Sequence, residues 1–303
     1  MNSSPAEAKV LSRGPLVFGD MDQQALDDAY DQSKWASNQQ YITGRRKTAS
    51  QRALQFIAPP QRASYGPTPI EALDIYRADA PNAPVAIFVH GGAWRMGSAA
   101  DFAYQAEMFV RAGVHHVVLD FASVDELKGD LMAMVEQVRR AVAWVWRNAA
   151  SFGGDPDRIY LTGHSSGAHI GGCVATCDWS RFDAPQTVLK GALLASGMYD
   201  LAPVRLSKRS EYVRFSDAVV EELSAIRHID RLACPLVLAY GTHESPEFIR
   251  QSRDFAAAVA AAGKPVETIV AANYNHFEIG ETLANPYGVL GRAALAMIAA
   301  GKS

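Results

Sequence analysis

From residue 72 to about residue 300, short runs of branched and small apolar residues alternate with longer segments of helical period. This alternation constrains the fold more than any single motif does. Strand candidates fall at 72–76, 85–89, 117–119, 159–161, 191–195, 235–240 and 266–270. The run Val85-Ala86-Ile87-Phe88-Val89 has no polar interruption, as expected of a strand covered on both faces. Between them, helices are expected at 101–112, ended by Gly113, at 125–150 and at 246–262, stopped by Gly263. In the longest, Leu127, Leu131, Met134, Val135, Val138, Val142 and Val145 recur at three- and four-residue steps, and Gly153-Gly154 closes it. A further helix ends the chain near Ala300. Alternating elements of this kind predict an α/β fold, a doubly wound and mainly parallel sheet with helices on both faces. With 303 residues, 49% of them hydrophobic, residues 1–303 suffice for a single domain around one large core. Residues 1–70 are read as an N-terminal part. Its first 20 residues are loosely ordered, a helix covers 22–36, and 41–70, rich in Arg, Gln and Pro, form a surface arm. The polar, basic and aromatic stretch 198–230 is read as a small cap-like insertion over the site.

One strand-to-helix junction carries chemistry. Ile159-Tyr160-Leu161-Thr162 leads into Gly163-His164-Ser165-Ser166-Gly167, followed by a helix of small residues. A Ser between two glycines at this spacing suits a nucleophile elbow, because so sharp a turn tolerates no side chain at the flanking positions. The Ser165 hydroxyl then projects from the turn, and the new helix N-terminus offers free N–H groups to a developing anion.

A serine nucleophile needs a base, a group that orients the base, and donors for the oxyanion. Each has a candidate after a predicted strand, where α/β sheets place their ligands. His276, in Asn273-Tyr274-Asn275-His276-Phe277, follows the last strand and is the expected base. Among the other histidines, His90 is expected to hold its own loop by an internal hydrogen bond, and His164 and His169 to pack or line the site. His115, His116 and His228 read as strand-edge or surface residues. For the orienting acid, Glu244 lies in the loop after the strand at 235–240, one helix and one strand before His276. Glu247 stands in the first helical turn, where the helix dipole alone favours a carboxylate, so Glu244 is preferred. The turn His90-Gly91-Gly92-Ala93-Trp94 follows a buried strand, and the N–H of Gly91 or Gly92 is expected to act with that of Ser166 as an oxyanion hole. Trp94, Tyr199 and His164 are candidates for contacts with an aromatic substrate.

Charge and composition narrow the partners. A net charge of −3 and a pI near 6.2 favour neither nucleic acid nor an anionic membrane. No apolar run is long enough to span a bilayer, and residues 1–9 show no secretory pattern, so a cytoplasmic location is expected. Three cysteines make no disulfide framework. Cys173 and Cys177, four apart on one helix, are expected to be buried thiols rather than metal ligands. Thr242-His243-Glu244 lacks a second His at zinc-helix spacing and runs into Pro246, so no metal is expected.

Assembled, these residues resemble the α/β-hydrolase superfamily in its His-Gly-Gly branch, and within it the kynurenine formamidase (arylformamidase) family. The resemblance extends from about Asp22 onward. It rests on Tyr30-Asp31-Gln32-Ser33-Lys34-Trp35, His90-Gly91-Gly92-Ala93-Trp94, Gly163 to His169, Gly197-Met198-Tyr199-Asp200-Leu201, and the tract from Ser245 to Ser252. It implies a triad of Ser165, the acid before Ser245, and His276. It further implies hydrolysis of N-formyl aromatic amines such as N-formylkynurenine, without a cofactor. Two departures stand out: Glu244 where that family usually carries Asp, and a loop at 121–125 that is short and lacks the expected proline. The substrate class is therefore an aromatic amide or ester. A short-acyl carboxylesterase and a non-catalytic binding protein of the same fold are the rival readings, and homodimer formation stays open.

Overall fold

A computed structural model describes residues 14–301 of the chain. One eight-stranded sheet runs through it, made of β1 (Gln61–Ser64), β2 (Ala72–Tyr76), β3 (Ala83–Val89), β4 (His115–Leu119), β5 (Gly154–His164), β6 (Gly191–Ala195), β7 (Leu236–Gly241) and β8 (Val266–Ala271). Its order is β1-β2-β4-β3-β5-β6-β7-β8. The β1–β2 and β2–β4 pairs are antiparallel, and every pair from β4–β3 to β7–β8 is parallel. The pleat sends alternate residues into two separate cores. Val85, Ile87, Val89, Ile159 and Leu161 face one with the helices Leu131–Asn148, Ser166–Ala175 and Pro246–Ala261. Ala86, Phe88 and Tyr160 face the other, with the helices Ala106–Arg111 and Val289–Ala300. Helices thus cover both faces, and the strand candidates read from the sequence are β2 to β8.

Several boundaries move for identifiable reasons. The helix expected from residue 125 begins at Leu131, because Lys128 (φ 53°) and Gly129 (φ 87°) form a left-handed turn and the Asp130 carboxylate caps the Ala133 N–H at 3.0 Å. The helix expected over 22–36 divides into Gln23–Ala29, capped by Asp22, and a short turn Gln32–Lys34, capped by Asp31. The stretch read as a surface arm holds a 15-residue helix, Gln39–Ala53, and the edge strand β1. Only Ile42, Ser50 and Ala53 of that helix are buried, so it has no apolar stripe for a sequence pattern to show. Of the loosely ordered opening expected for residues 1–20, residues 1–13 lie outside the described residues. The insertion at 198–230 forms two short helices, Leu201–Val204 and Asp217–Glu222, with 3-10 turns between and after them. No described helix is long and apolar enough to cross a membrane.

His115 and His116 do not sit at a surface edge. His116 is fully buried on β4, stacked on Phe109 with 4.5 Å between ring centroids, and neither ring nitrogen has a well-formed hydrogen bond. Burial pushes its pKa down to about 3, a weak opposing contribution coming from the Ala86 backbone. An unfolded histidine takes up its proton near pH 6.5, which the folded one refuses, so this residue's share of stability is lost as pH falls below about 6.5. Between pH 6.5 and 5 the loss amounts to about 2 kcal/mol. The His116→Phe variant is therefore expected to show a smaller drop in thermal midpoint between pH 7 and pH 5 than the parent chain; an equal drop in both contradicts this reading.

Candidate active site

Four loops meet at the C-terminal ends of neighbouring strands. The junction after β5 places Ser165 at φ 58°, ψ −128°, a backbone conformation that non-glycine residues rarely adopt. Its surroundings hold it there. A Cβ at Gly163 would stand 2.7 Å from the Gly167 carbonyl oxygen, and one at Gly167 would stand 2.1 Å from that of Val89. Both glycines are needed for the helix Ser166–Ala175 to start so close to β3. The Ser165 N–H donates to the Ala195 carbonyl at 2.9 Å, tying the turn to β6.

His276 opens the short helix His276–Glu281 after β8. Its Nε2 lies 2.8 Å from Ser165 Oγ, and its Nδ1 lies 2.8 Å from Glu244 Oε2. An ionised carboxylate only accepts, so Nδ1 carries the proton and Nε2 is free to accept from the serine. The other Glu244 oxygen accepts from Ser196 Oγ at 2.7 Å and from the Gly241 N–H at 2.6 Å. The Glu244 side chain has no solvent exposure, and these three donors satisfy it. Glu247 is engaged elsewhere, with the Tyr30 hydroxyl and Arg250. Around the imidazole, Phe248 and Phe277 pack edge-on at 5.0 and 5.3 Å. His164 Nε2 donates to the His276 carbonyl at 2.8 Å. Burial above all, helped by the neighbouring His276 and Arg46, holds His164 well below the ordinary imidazole range, so it stays neutral.

The loop after β3 is fixed against this junction. His90 donates from Nδ1 to the Gly91 carbonyl at 2.9 Å and lies flat between Phe121 and Phe102, at 4.3 and 5.6 Å. A Cβ at Gly91 would come within 2.9 Å of Ser165 Cβ, so only glycine lets this backbone approach the serine. Gly92, at φ 129°, would meet the Met96 carbonyl. The Trp94 N–H donates to Ser166 Oγ at 3.2 Å, joining the two turns directly. As the first residue of its helix, Ser166 has an N–H without an intrahelical acceptor. A hydroxyl, an imidazole and a carboxylate in one hydrogen-bonded line, beside glycine backbone and a helix N-terminus, can transfer a proton while an oxyanion forms.

A cleft of about 530 Å³ opens over Ser165 and His276, with Gly91, Gly92 and His164 in its walls. Two expected substrate contacts do not line it. Trp94 is buried, its indole N–H donating to His169 Nδ1 at 3.1 Å, because the left-handed turn at Ala93 and Trp94 directs it inward. Tyr199 is buried too, stacked on Phe255 at 4.4 Å behind β6. The thiols of Cys173 and Cys177 are buried, and burial raises their pKa values to about 12 and about 11. From 198–230, Lys208, Arg209 and Tyr212 reach the cleft. The walls that sequence reasoning missed come from the N-terminal part: Tyr30, Gln32, Gln39, Thr43, Arg46 and Lys47. The tract Tyr30 to Trp35 carried a signal, as part of the family resemblance; the helix Gln39–Ala53 carried none.

Comparison with known proteins agrees with this architecture. The BD-FAE family model matches residues 73–191, the stretch from β2 through the junction to β6. The kynurenine formamidase of Danio rerio is 32% identical over 264 residues, 85% of this chain and 87% of its own. That of Salmo salar is 30% identical, covering 87% and 92%. Among solved structures, a putative thioesterase from Silicibacter superposes with a TM-score of 0.78 at 20% identity, over 90% of this chain and 98% of that one, and shares the fold. With the sheet, the junction and these similarities together, the chain is a hydrolase and belongs to the kynurenine formamidase family of α/β-hydrolases.

Proposed function

We propose that this hydrolase cleaves an aryl formamide of the N-formylkynurenine type through an acyl-enzyme on Ser165. The observation that carries the reading is the continuous line from Ser165 Oγ through His276 to Glu244, with 2.8 Å at each step. In the first half-reaction Ser165 Oγ attacks the formyl carbon as His276 Nε2 takes its proton. Glu244 keeps the imidazole in the required tautomer and stabilises the cation that forms. The N–H groups of Gly91 or Gly92 and of Ser166 receive the oxyanion. Losing one such donor costs roughly 3 kcal/mol of transition-state stabilisation. The imidazolium then protonates the departing arylamine nitrogen as the C–N bond breaks, leaving a formyl ester on Ser165. Water, deprotonated by the same imidazole, releases formate and restores the serine.

Charge in the cleft supports the substrate class. The chain is acidic overall, yet the cleft walls carry Arg46, Lys47, Lys208 and Arg209 against Asp31 and Asp101. Lys208 pairs with Asp31 at 3.0 Å, and Asp101 is occupied by the N–H and hydroxyl of Ser98. Among the described residues, Arg46 and Arg209 have no carboxylate partner. Arg46 lies over the Phe102 ring, and Arg209, only 7% exposed, lies over Trp94 and donates to the Tyr30 carbonyl and the Tyr212 hydroxyl. Cations without a counter-ion, Arg209 buried and Arg46 half-buried, suit a substrate that brings one, as the carboxylate of N-formylkynurenine does.

Two outcomes are expected. Ser165→Ala lowers kcat/KM on N-formylkynurenine by about 10⁴-fold or more, measured as formate release, with an unchanged thermal midpoint; activity within tenfold of the parent removes Ser165 from the mechanism. Arg46→Met raises KM for N-formylkynurenine about tenfold or more while leaving KM for uncharged formanilide within twofold, since a hydrogen bond to a charged group is worth about 1.5–3 kcal/mol. An equal effect on both substrates, or faster turnover of a matched ester than of the formamide, favours a short-acyl carboxylesterase instead.

A further inference from the structure

The cleft walls from residues 30–47 do more than enclose space, because the same segment bonds to the two loops that carry the acid and the base. Gln32 Nε2 donates to Ser245 Oγ at 2.7 Å, and Ser245 Oγ donates to the Ala29 carbonyl at 2.6 Å. Ser245 is fully buried and is the residue directly after Glu244. At the other loop, Asn38 Oδ1 accepts from Asn275 Nδ2 at 2.8 Å, and Asn38 Nδ2 donates to Glu278 Oε1 at 2.6 Å. Asn275 is the residue directly before His276. Arg45 completes the set by pairing with Glu281 at the far end of the same short helix.

Asn275 and Glu278 are the two members of the capping box that begins the helix His276–Glu281. Asn275 Oδ1 accepts from the N–H groups of Phe277 and Glu278, and Glu278 Oε2 accepts from the Asn275 N–H at 3.0 Å. That helix has six residues, too few to hold its own direction, and His276 is the first of them. The Asn38 amide bonds both members of the box at once. Only one orientation of the amide does this, because the carboxylate accepts and the Asn275 Nδ2 donates. Asn38 does not line the cleft.

We propose that Asn38 is a positioning residue of this hydrolase: by closing a ring of hydrogen bonds on Asn275 and Glu278, it sets the angle at which His276 meets Ser165. The proposal rests on the triad reading given above. Gln32 does the corresponding work on the loop of Glu244, so the N-terminal segment completes the site and is no passive arm. A displacement of about 1 Å at a reacting group can cost on the order of 100-fold in rate, so releasing this ring acts on turnover and leaves the cleft walls in place.

The test uses the full chain and p-nitrophenyl acetate, a small neutral ester that needs none of the cationic wall residues. Asn38→Leu is expected to lower kcat by about tenfold or more with KM within twofold. Asn38→Asp is expected to do the same, by setting a second carboxylate against Glu278. Adding Glu278→Gln to Asn38→Asp restores complementarity: the new amide donates to the new carboxylate and still accepts from the Asn275 N–H. The double variant is expected to recover most of the lost kcat, a rescue that a merely destabilising change at Asn38 does not predict. An unchanged kcat in both single variants overturns the proposal, as does a raised KM at constant kcat or a double variant no better than Asn38→Asp. The parent chain and Ser165→Ala run alongside. Where the parent does not turn over the ester, uncharged formanilide takes its place; a parent inactive on both, or activity on either that survives Ser165→Ala, overturns the triad reading itself, whereas an active parent with unaffected Asn38 variants overturns only the positioning role.

Discussion

The backbone turn at Ser165 is the constraint on which the site depends. A serine held at φ 58°, ψ −128° stores strain, and that strain persists because β5, β6 and the loop after β3 close on it from three sides. Gly163 and Gly167 admit neighbouring carbonyls to distances that exclude any side chain, and the Ala195 carbonyl takes the serine's own N–H. With the turn fixed, the hydroxyl projects toward His276 Nε2. The remaining groups can then be brought to it by loops from separate strands, each anchored in one sheet.

The same logic of anchoring runs outward from the serine. His276 is held by Glu244 at one nitrogen, by His164 at its carbonyl and by aromatic rings around its faces. Glu244 is in turn held by Ser196 and Gly241. Beyond that layer come the side chains of the N-terminal segment, Gln32 on Ser245 and Asn38 on Asn275. Each layer restricts the rotamers of the one inside it, the condition under which charged and polar groups act in a transition state without reorganising.

Much of this was legible in the sequence, and the reasons are physical. Buried parallel strands leave uninterrupted apolar runs, so the centre of the sheet could be read strand by strand, while the exposed edge strand β1 left no such run. Ser165, Glu244 and His276 could be singled out because each follows a strand that the sequence shows, and Gly91 and Gly92 because close backbone approach permits only glycine. What stayed hidden depends on contacts distant in sequence. The helix Gln39–Ala53 buries only Ile42, Ser50 and Ala53 and leaves no apolar stripe, so its composition reads as an arm. Trp94 and Tyr199 look like aromatic wall residues until the left-handed turn at Ala93 and the stack on Phe255 take them into the core. His116 looks like a strand-edge residue because nothing in its neighbours announces that Phe109 will cover it.

The central claim is that Ser165, activated by His276, is the nucleophile of this hydrolase. Its most direct test is to treat the folded protein with a fluorophosphonate and map the adduct by peptide mass spectrometry, for the parent chain and for His276→Ala. The account predicts a stoichiometric adduct on Ser165 in the parent chain and a labelling rate at least a hundredfold lower, on the order expected for loss of the general base, in the variant. An adduct on another residue, or equal labelling rates in the two proteins, would contradict it.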